Sequence, residues 1–225
     1  MREVVLKGRG PNTMTFESLR AFAEDLEAHP EEPILLYGDG RAFSAGLDLN
    51  ALAEGDPRAV TDEIERVVDL LFHHPAPTVA AVNGHAVAGG CLMVQACDLR
   101  VGTDDPTIKI GMTGVALGIT YPPVVMRILR HRLPRHTIER VILGAQKHDP
   151  KEALALGLLD ELVPDAIAAG RERLAMLAAH PRHAYAEAKR ALRMGALEVE
   201  EEERAAFEAA AEKGWDPSRF AARRK

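Results

Sequence analysis

Two turns constrain this chain more than anything else in it. Each joins a buried strand to a helix, and each carries a cluster of small residues. The first, Arg41-Ala42-Phe43-Ser44-Ala45-Gly46-Leu47-Asp48-Leu49, follows the apolar run Ile34-Leu35-Leu36-Tyr37 and leads into a polar helix start. The second, Val82-Asn83-Gly84-His85-Ala86-Val87-Ala88-Gly89-Gly90-Cys91, follows Thr78-Val79-Ala80-Ala81-Val82 and opens another helix. Small residues let a ligand approach the main chain closely. The first N–H groups of a helix have no partner within it and carry partial positive charge. Two of them converging on one point would bind a developing oxyanion. Each turn also has a plainer reading. Ser-Ala-Gly can be only a tight turn with Asp48 capping the next helix, and Gly89-Gly90 can be only close packing of helix on strand. A dinucleotide site is disfavoured, because the spacing from Gly84 to Gly89-Gly90 does not fit G-x-G-x-x-G.

Around these turns, strand and helix patterns alternate. Val4-Val5-Leu6 reads as a short strand. Thr15 can cap a helix with Phe16, Leu19, Phe22, Ala23 and Leu26 on one face. Asp56-Pro57 starts a second helix, its inner face carrying Val60, Ile64, Val67, Val68 and Leu71, and Pro75 and Pro77 stop it. A short apolar helix is expected near Cys91–Cys97, with strands at Leu99-Arg100-Val101 and Ile108-Lys109-Ile110. From about Tyr121 onward helices dominate, one of them opening at Asp149-Pro150-Lys151-Glu152 and ending at Gly157. The pattern predicts an α/β core over residues 1–165 and a helical region over 166–225.

Charge and cysteine usage narrow the function classes. The formal net charge is −6 and the basic residues are scattered, so no nucleic-acid footprint is present. No long apolar run follows Met1, so neither a signal peptide nor a membrane span is expected. The only cysteines are Cys91 and Cys97. Six residues apart on a helix they would point in different directions, which suits a reduced, cytoplasmic protein. The histidine pairs His73-His74, His131 with His136, and His180 with His183 lack acidic or cysteine partners at ligand spacing, so no metal site is expected. The run Glu198 to Glu203 reads as a solvated helix face.

Taken together and in order, the two turns resemble the crotonase superfamily, the enoyl-CoA hydratase/isomerase family. Residues 42–49 match its signature A-F-S/C-A-G-x-D-L. Residues 83–90 match N-G-x-A-x-G-G-G with one glycine replaced by Ala88, and Cys97-Asp98 matches the C-D that follows. A third similarity is Ala153-Leu154-Ala155-Leu156-Gly157-Leu158-Leu159-Asp160-Glu161-Leu162-Val163. The resemblance spans roughly residues 4 to 195. It implies a ClpP-like spiral of ββα units with a C-terminal helical region, assembly as a homotrimer or homohexamer, and an acyl-CoA substrate whose coenzyme is part of the substrate rather than a separate cofactor. It also implies that the backbone N–H groups of Leu47 and Gly89 form an oxyanion hole. Ser44, Ala45, Asp48 and Leu49 would border the coenzyme, and Phe220 and Lys225 would reach it from the tail.

The same resemblance marks departures. Hydratases of the family hold two glutamates over the substrate, and isomerases keep one of them as their base; this chain has Leu92 and Gly114 at those positions. Neither can move a proton. The stretch Met112 to Tyr121 is similar to methylmalonyl-CoA decarboxylase, which has a threonine and a tyrosine where Thr113 and Tyr121 stand and a histidine where Leu47 stands. The expectation is an enzyme that stabilises a thioester enolate, as a decarboxylase (a lyase) or as an isomerase with an unusual acid and base. The alternatives are a non-catalytic acyl-CoA-binding homologue and a hydratase whose carboxylate comes from elsewhere, such as Asp48.

Overall fold

The run Ile34-Leu35-Leu36 is apolar at every position because both of its faces are covered, as in a buried parallel strand. Strand side chains alternate between faces. Accordingly Ile34 and Leu36 enter the larger core and Leu35 a smaller one on the opposite face. The strand Thr78–Val82 divides in the same way, with Ala80 and Val82 in the first core and Val79 and Ala81 in the second.

The computed structural model describes residues 1–214. Strands β1 (Arg2–Leu6), β2 (Ile34–Gly38), β4 (Thr78–Val82), β6 (Leu99–Thr103) and β8 (Glu161–Val163) form one parallel sheet in the order β1-β2-β4-β6-β8. Strands β3 (Ala42–Ser44), β5 (His85–Val87) and β7 (Ile110–Gly111) form a second, smaller one. Consecutive strands from β2 onward alternate between the sheets, and helices return the chain for the next pass. This is a spiral of ββα units.

The connecting elements are one irregular turn, α1 (Arg9–Asn12), then α2 (Phe16–Ala28), α3 (Leu49–Glu54), α4 (Pro57–His73), α5 (Gly89–Ala96), a 3-10 turn (Val115–Leu117), α6 (Pro123–Arg132), α7 (Ile138–Gly144) and α8 (Pro150–Ala155). Three further helices follow: α9 (Ala166–Ala178), α10 (Arg182–Arg193) and α11 (Glu201–Gly214). All five residues read as the inner face of α4 are buried. Thr15 caps α2 in a reciprocal pair with Ser18, and Asp56 and Asp149 cap α4 and α8. Helix α9 begins at its cap Asp165 and packs Ala166 and Leu174 on the second face of the large sheet, with Leu35, Val79 and Ala81.

Two expectations need correction. The strand expected at Ile108–Ile110 covers only Ile110–Gly111, because Asp105 accepts from the Thr107 N–H and holds residues 105–107 in a turn. After Tyr121 helices dominate as expected, interrupted among the described residues by β8, which pairs with β6 at the edge of the large sheet, Thr103 opposite Val163. The helix expected to end at Gly157 ends at Ala155, with Gly157 at φ +80 beyond it.

Asp98 fastens the C-terminal region to the core. Its Oδ2 accepts from the Thr78 N–H, the Tyr185 hydroxyl and Lys189 Nζ, each at 2.8 Å, and Arg193 of α10 stands 2.9 Å from Oδ1. Burial pulls the Lys189 ammonium down to about 8 even beside this carboxylate.

Candidate active site

The first turn leaves β3 in a conformation that residues 11–14 dictate. Asn12, at φ 57, is buried, and its Nδ2 donates to the carbonyls of Asp39 and Ala42 at 2.8 and 2.7 Å. The Ala45 N–H donates to the Pro11 carbonyl, the Met14 N–H to the Gly46 carbonyl and the Asp48 N–H to the Met14 carbonyl. Gly46 sits at φ +90, where a side chain would be strained, and a methyl group on it would lie 2.8 Å from the Gly89 nitrogen. The bonding uses the groups on either side of Leu47 and leaves its own N–H without an acceptor among the described residues.

The second turn leaves β5. The Asn83 side chain accepts from the Gly38 N–H and donates to the Gly38 and Gly40 carbonyls, which ties the ends of β2 and β4 together. Ala88, where the family signature has glycine, is held at φ 51, ψ −119. A non-glycine residue in such a region costs on the order of 1–3 kcal/mol and persists only where its surroundings fix it. Here the Ala88 N–H donates to the Gly111 carbonyl, and the Ala88 carbonyl accepts the Leu92 N–H. Gly89 then opens α5, its N–H among those a helix cannot satisfy; among the described residues nothing accepts it. Gly90 packs so closely that a methyl group on it would lie 2.1 Å from the Ser44 carbonyl oxygen. The two turns therefore meet: a methyl on Gly89 would stand 3.6 Å from the Leu47 nitrogen.

Both residues border a cleft of about 930 Å³. Ala45, Asp48, Leu49, Thr113 and Tyr121 line it too, so the cleft gathers seven of the site residues read from sequence. Ser44 lies elsewhere: it is fully buried, donates to the Asn12 carbonyl and accepts the Gly46 N–H, so its hydroxyl shapes the turn. Phe220 and Lys225 lie outside the described residues.

Asp48 is the one carboxylate lining the cleft among the described residues. Its Oδ1 accepts the Asn50 and Ala51 N–H groups and so caps α3, and Thr13 Oγ1 stands 3.3 Å from Oδ2. Positive charge comes from Arg9, Lys109 and Lys147, none of which the sequence singled out. His85 is exposed, and its Nδ1 accepts the Lys109 N–H at 2.9 Å, which fixes its ring at the cleft. Asn12 was missed as well; asparagine's tolerance of left-handed backbone was the signal available.

Tyr121 faces Gly114 across the cleft wall. Its hydroxyl oxygen accepts the Gly114 N–H at 2.8 Å, and burial pushes the phenol up to about 12. The group is thus a proton-bearing donor near neutral pH and not a base. A methyl group on Gly114 would lie 2.7 Å from Tyr121 Cζ and Oη. The ring therefore fills the space that any side chain at position 114 would need.

A model of the enoyl-CoA hydratase/isomerase family matches residues 9–214. The chain is 37% identical over 154 residues to a putative enoyl-CoA hydratase of Thermus thermophilus, a match covering 65% of this chain and 60% of that protein. It is 32% identical over 171 residues to mouse mitochondrial enoyl-CoA delta isomerase 1, covering 72% and 59% respectively. The matched stretch thus spans about three fifths of these curated relatives. Among solved structures, human mitochondrial delta3-delta2-enoyl-CoA isomerase superimposes with a TM-score of 0.86 at 25% identity, over 98% of this chain and 90% of that one.

Proposed function

This chain belongs to the enoyl-CoA hydratase/isomerase family and has its crotonase fold, and from that premise we propose that it binds an acyl-CoA thioester and carries its reaction through the thioester enolate. The thioester oxygen is held by the Leu47 and Gly89 N–H groups. One observation carries this reading: two backbone donors without acceptors among the described residues meet at one cleft. Donors already fixed in place stabilise charge as it develops without reorganising.

The lining decides which enolate reaction is favoured. Hydration and isomerisation both require a group that takes a proton. Asp48 is committed to capping α3, and the Tyr121 phenol holds its proton. Positions 92 and 114, where the family resemblance places the glutamates, are leucine and glycine. Decarboxylation begins without a base. In a malonyl-type thioester the bond from the α-carbon to the carboxylate breaks, its electron pair passes through the α-carbon to the thioester oxygen, and carbon dioxide leaves. The α-carbon of the enolate then takes a proton from the Tyr121 hydroxyl, which regains one from solvent. Thr113 beside it helps turn the carboxylate out of the thioester plane. Double-bond isomerisation is the second reading, favoured by the likeness to the isomerases; it starts with removal of the α-proton by a base, which the protonated Tyr121 phenol is not, so the lining favours it less.

Binding is tested first by calorimetry and thermal melting with acetyl-CoA, butyryl-CoA and crotonyl-CoA. A ligand selective for the native state adds about 2.7 kcal/mol at a hundredfold excess over its Kd. All three thioesters are expected to raise Tm, and no response at millimolar concentration contradicts the reading.

A further inference from the structure

Glu65 is a buried carboxylate that this chemistry does not use. It lies on α4 among Ile64, Val67 and Val68, and only 6% of it is exposed. An ionised group there is costly unless it is partnered. Both of its oxygens are: Oε1 accepts the Val124 N–H at 3.1 Å and Oε2 accepts Arg204 Nη1 at 3.0 Å.

The first of these bonds explains how α6 begins. Its cap is Pro122 and its first residue Pro123, so neither supplies an N–H and no side chain of its own caps the helix. Val124 is the first residue of α6 with an N–H to satisfy. Glu65 satisfies it from another helix, and its negative charge lies at the positive end of the α6 dipole.

Tyr121 immediately precedes this proline pair, and residues before proline have a restricted backbone. The placement of the first turn of α6 therefore sets where the Tyr121 ring enters the cleft. The other end of that ring has little freedom, since its oxygen takes the Gly114 N–H and its atoms fill the space above Gly114. Arg204 belongs to α11, and two more ion pairs seat that helix on the same scaffold: Glu203 with Arg127 of α6 and Glu208 with Arg58 of α4.

We propose that Glu65 is a positioning residue for Tyr121, and that Arg204 ties the docking of α11 to the placement of that hydroxyl. The inference rests on the role given to Tyr121 above, so its test includes a readout that needs no activity. The full-length protein is labelled with [13Cζ]tyrosine, and the Tyr121 resonance is assigned by its loss in Tyr121→Phe. Glu65→Ala is expected to shift that resonance and leave those of Tyr37 and Tyr185 in place, while Glu65→Gln, which keeps an acceptor for Val124, shifts it less. Turnover of the preferred thioester should fall on the order of 10²-fold in Glu65→Ala, the cost of a misplacement near 1 Å, with KM little changed. In a Tyr121→Phe background Glu65→Ala should cost nothing further, because the pair acts as one unit. An unmoved Tyr121 resonance in folded Glu65→Ala overturns the proposal. If that variant fails to fold, Arg204→Met, which leaves Glu65 in place, must shift the same resonance, and no shift overturns it. Unchanged turnover in Tyr121→Phe would instead remove the role given to Tyr121, and the resonance would still decide the positioning.

Discussion

Gly89→Pro is expected to lower turnover of any thioester substrate by about 10²–10³-fold, the loss seen when one oxyanion donor is removed, while the protein stays folded. Proline is well accommodated at the first position of a helix, since the N–H it lacks has no partner there. Gly89 is that residue in α5, so the substitution deletes a donor without breaking a bond among the described residues. Gly89→Ala is the control. It keeps the N–H, and its methyl meets the mobile end of Met14 at 3.1 Å, so a smaller loss is expected. Leu47→Ala should change activity only modestly, because Leu47 contributes its backbone. The check is kcat/KM alongside circular dichroism; an unchanged rate in a folded Gly89→Pro variant removes Gly89 from the hole.

Tyr121→Phe is expected to reduce decarboxylation by about 10²–10⁴-fold, the range for a positioned proton donor, with KM nearly unaltered. The ring still fills the space above Gly114, so the shape of the cleft survives. The hydroxyl lost is both the proton donor proposed above and the acceptor for the Gly114 N–H. A buried donor left without a partner costs about 1–3 kcal/mol, so the melting temperature should fall as well. Stopped-flow or coupled assays beside a urea melt separate the two effects. A variant that loses stability and keeps its rate would leave Tyr121 as a structural residue only.

The parts of this molecule that local pattern determines were legible. The apolar runs of β2 and β4 show in sequence because both faces of the large sheet are covered. The face of α4 and the caps Thr15, Asp56 and Asp149 follow from helical spacing and side-chain chemistry. Strands β3 and β5 were not legible, because three residues are too few to show a period, and β7 was read two residues early for the same reason. Ser44 sat in a motif read as the coenzyme border, yet in so short a strand only the structure shows that its hydroxyl turns inward to Asn12 and Gly46. Glu65 was invisible for another reason. It adjoins Ile64 at the edge of an apolar stripe, and its partners lie 59 and 139 residues away in the chain. The mutual exclusion of Tyr121 and a side chain at position 114 also depends on a contact across seven residues that no local pattern encodes.

The most direct measurement is a side-by-side rate panel on crotonyl-CoA, a 3-enoyl-CoA, malonyl-CoA and methylmalonyl-CoA, with the wild-type chain and Gly89→Pro. The account predicts that release of carbon dioxide from a malonyl-type thioester is the fastest reaction, that water addition to crotonyl-CoA is very slow, and that Gly89→Pro lowers the fastest activity by about 10²–10³-fold. Robust hydration of crotonyl-CoA with no decarboxylation of either malonyl-type thioester would contradict it, and would send the search for a base to Asp48 or His85.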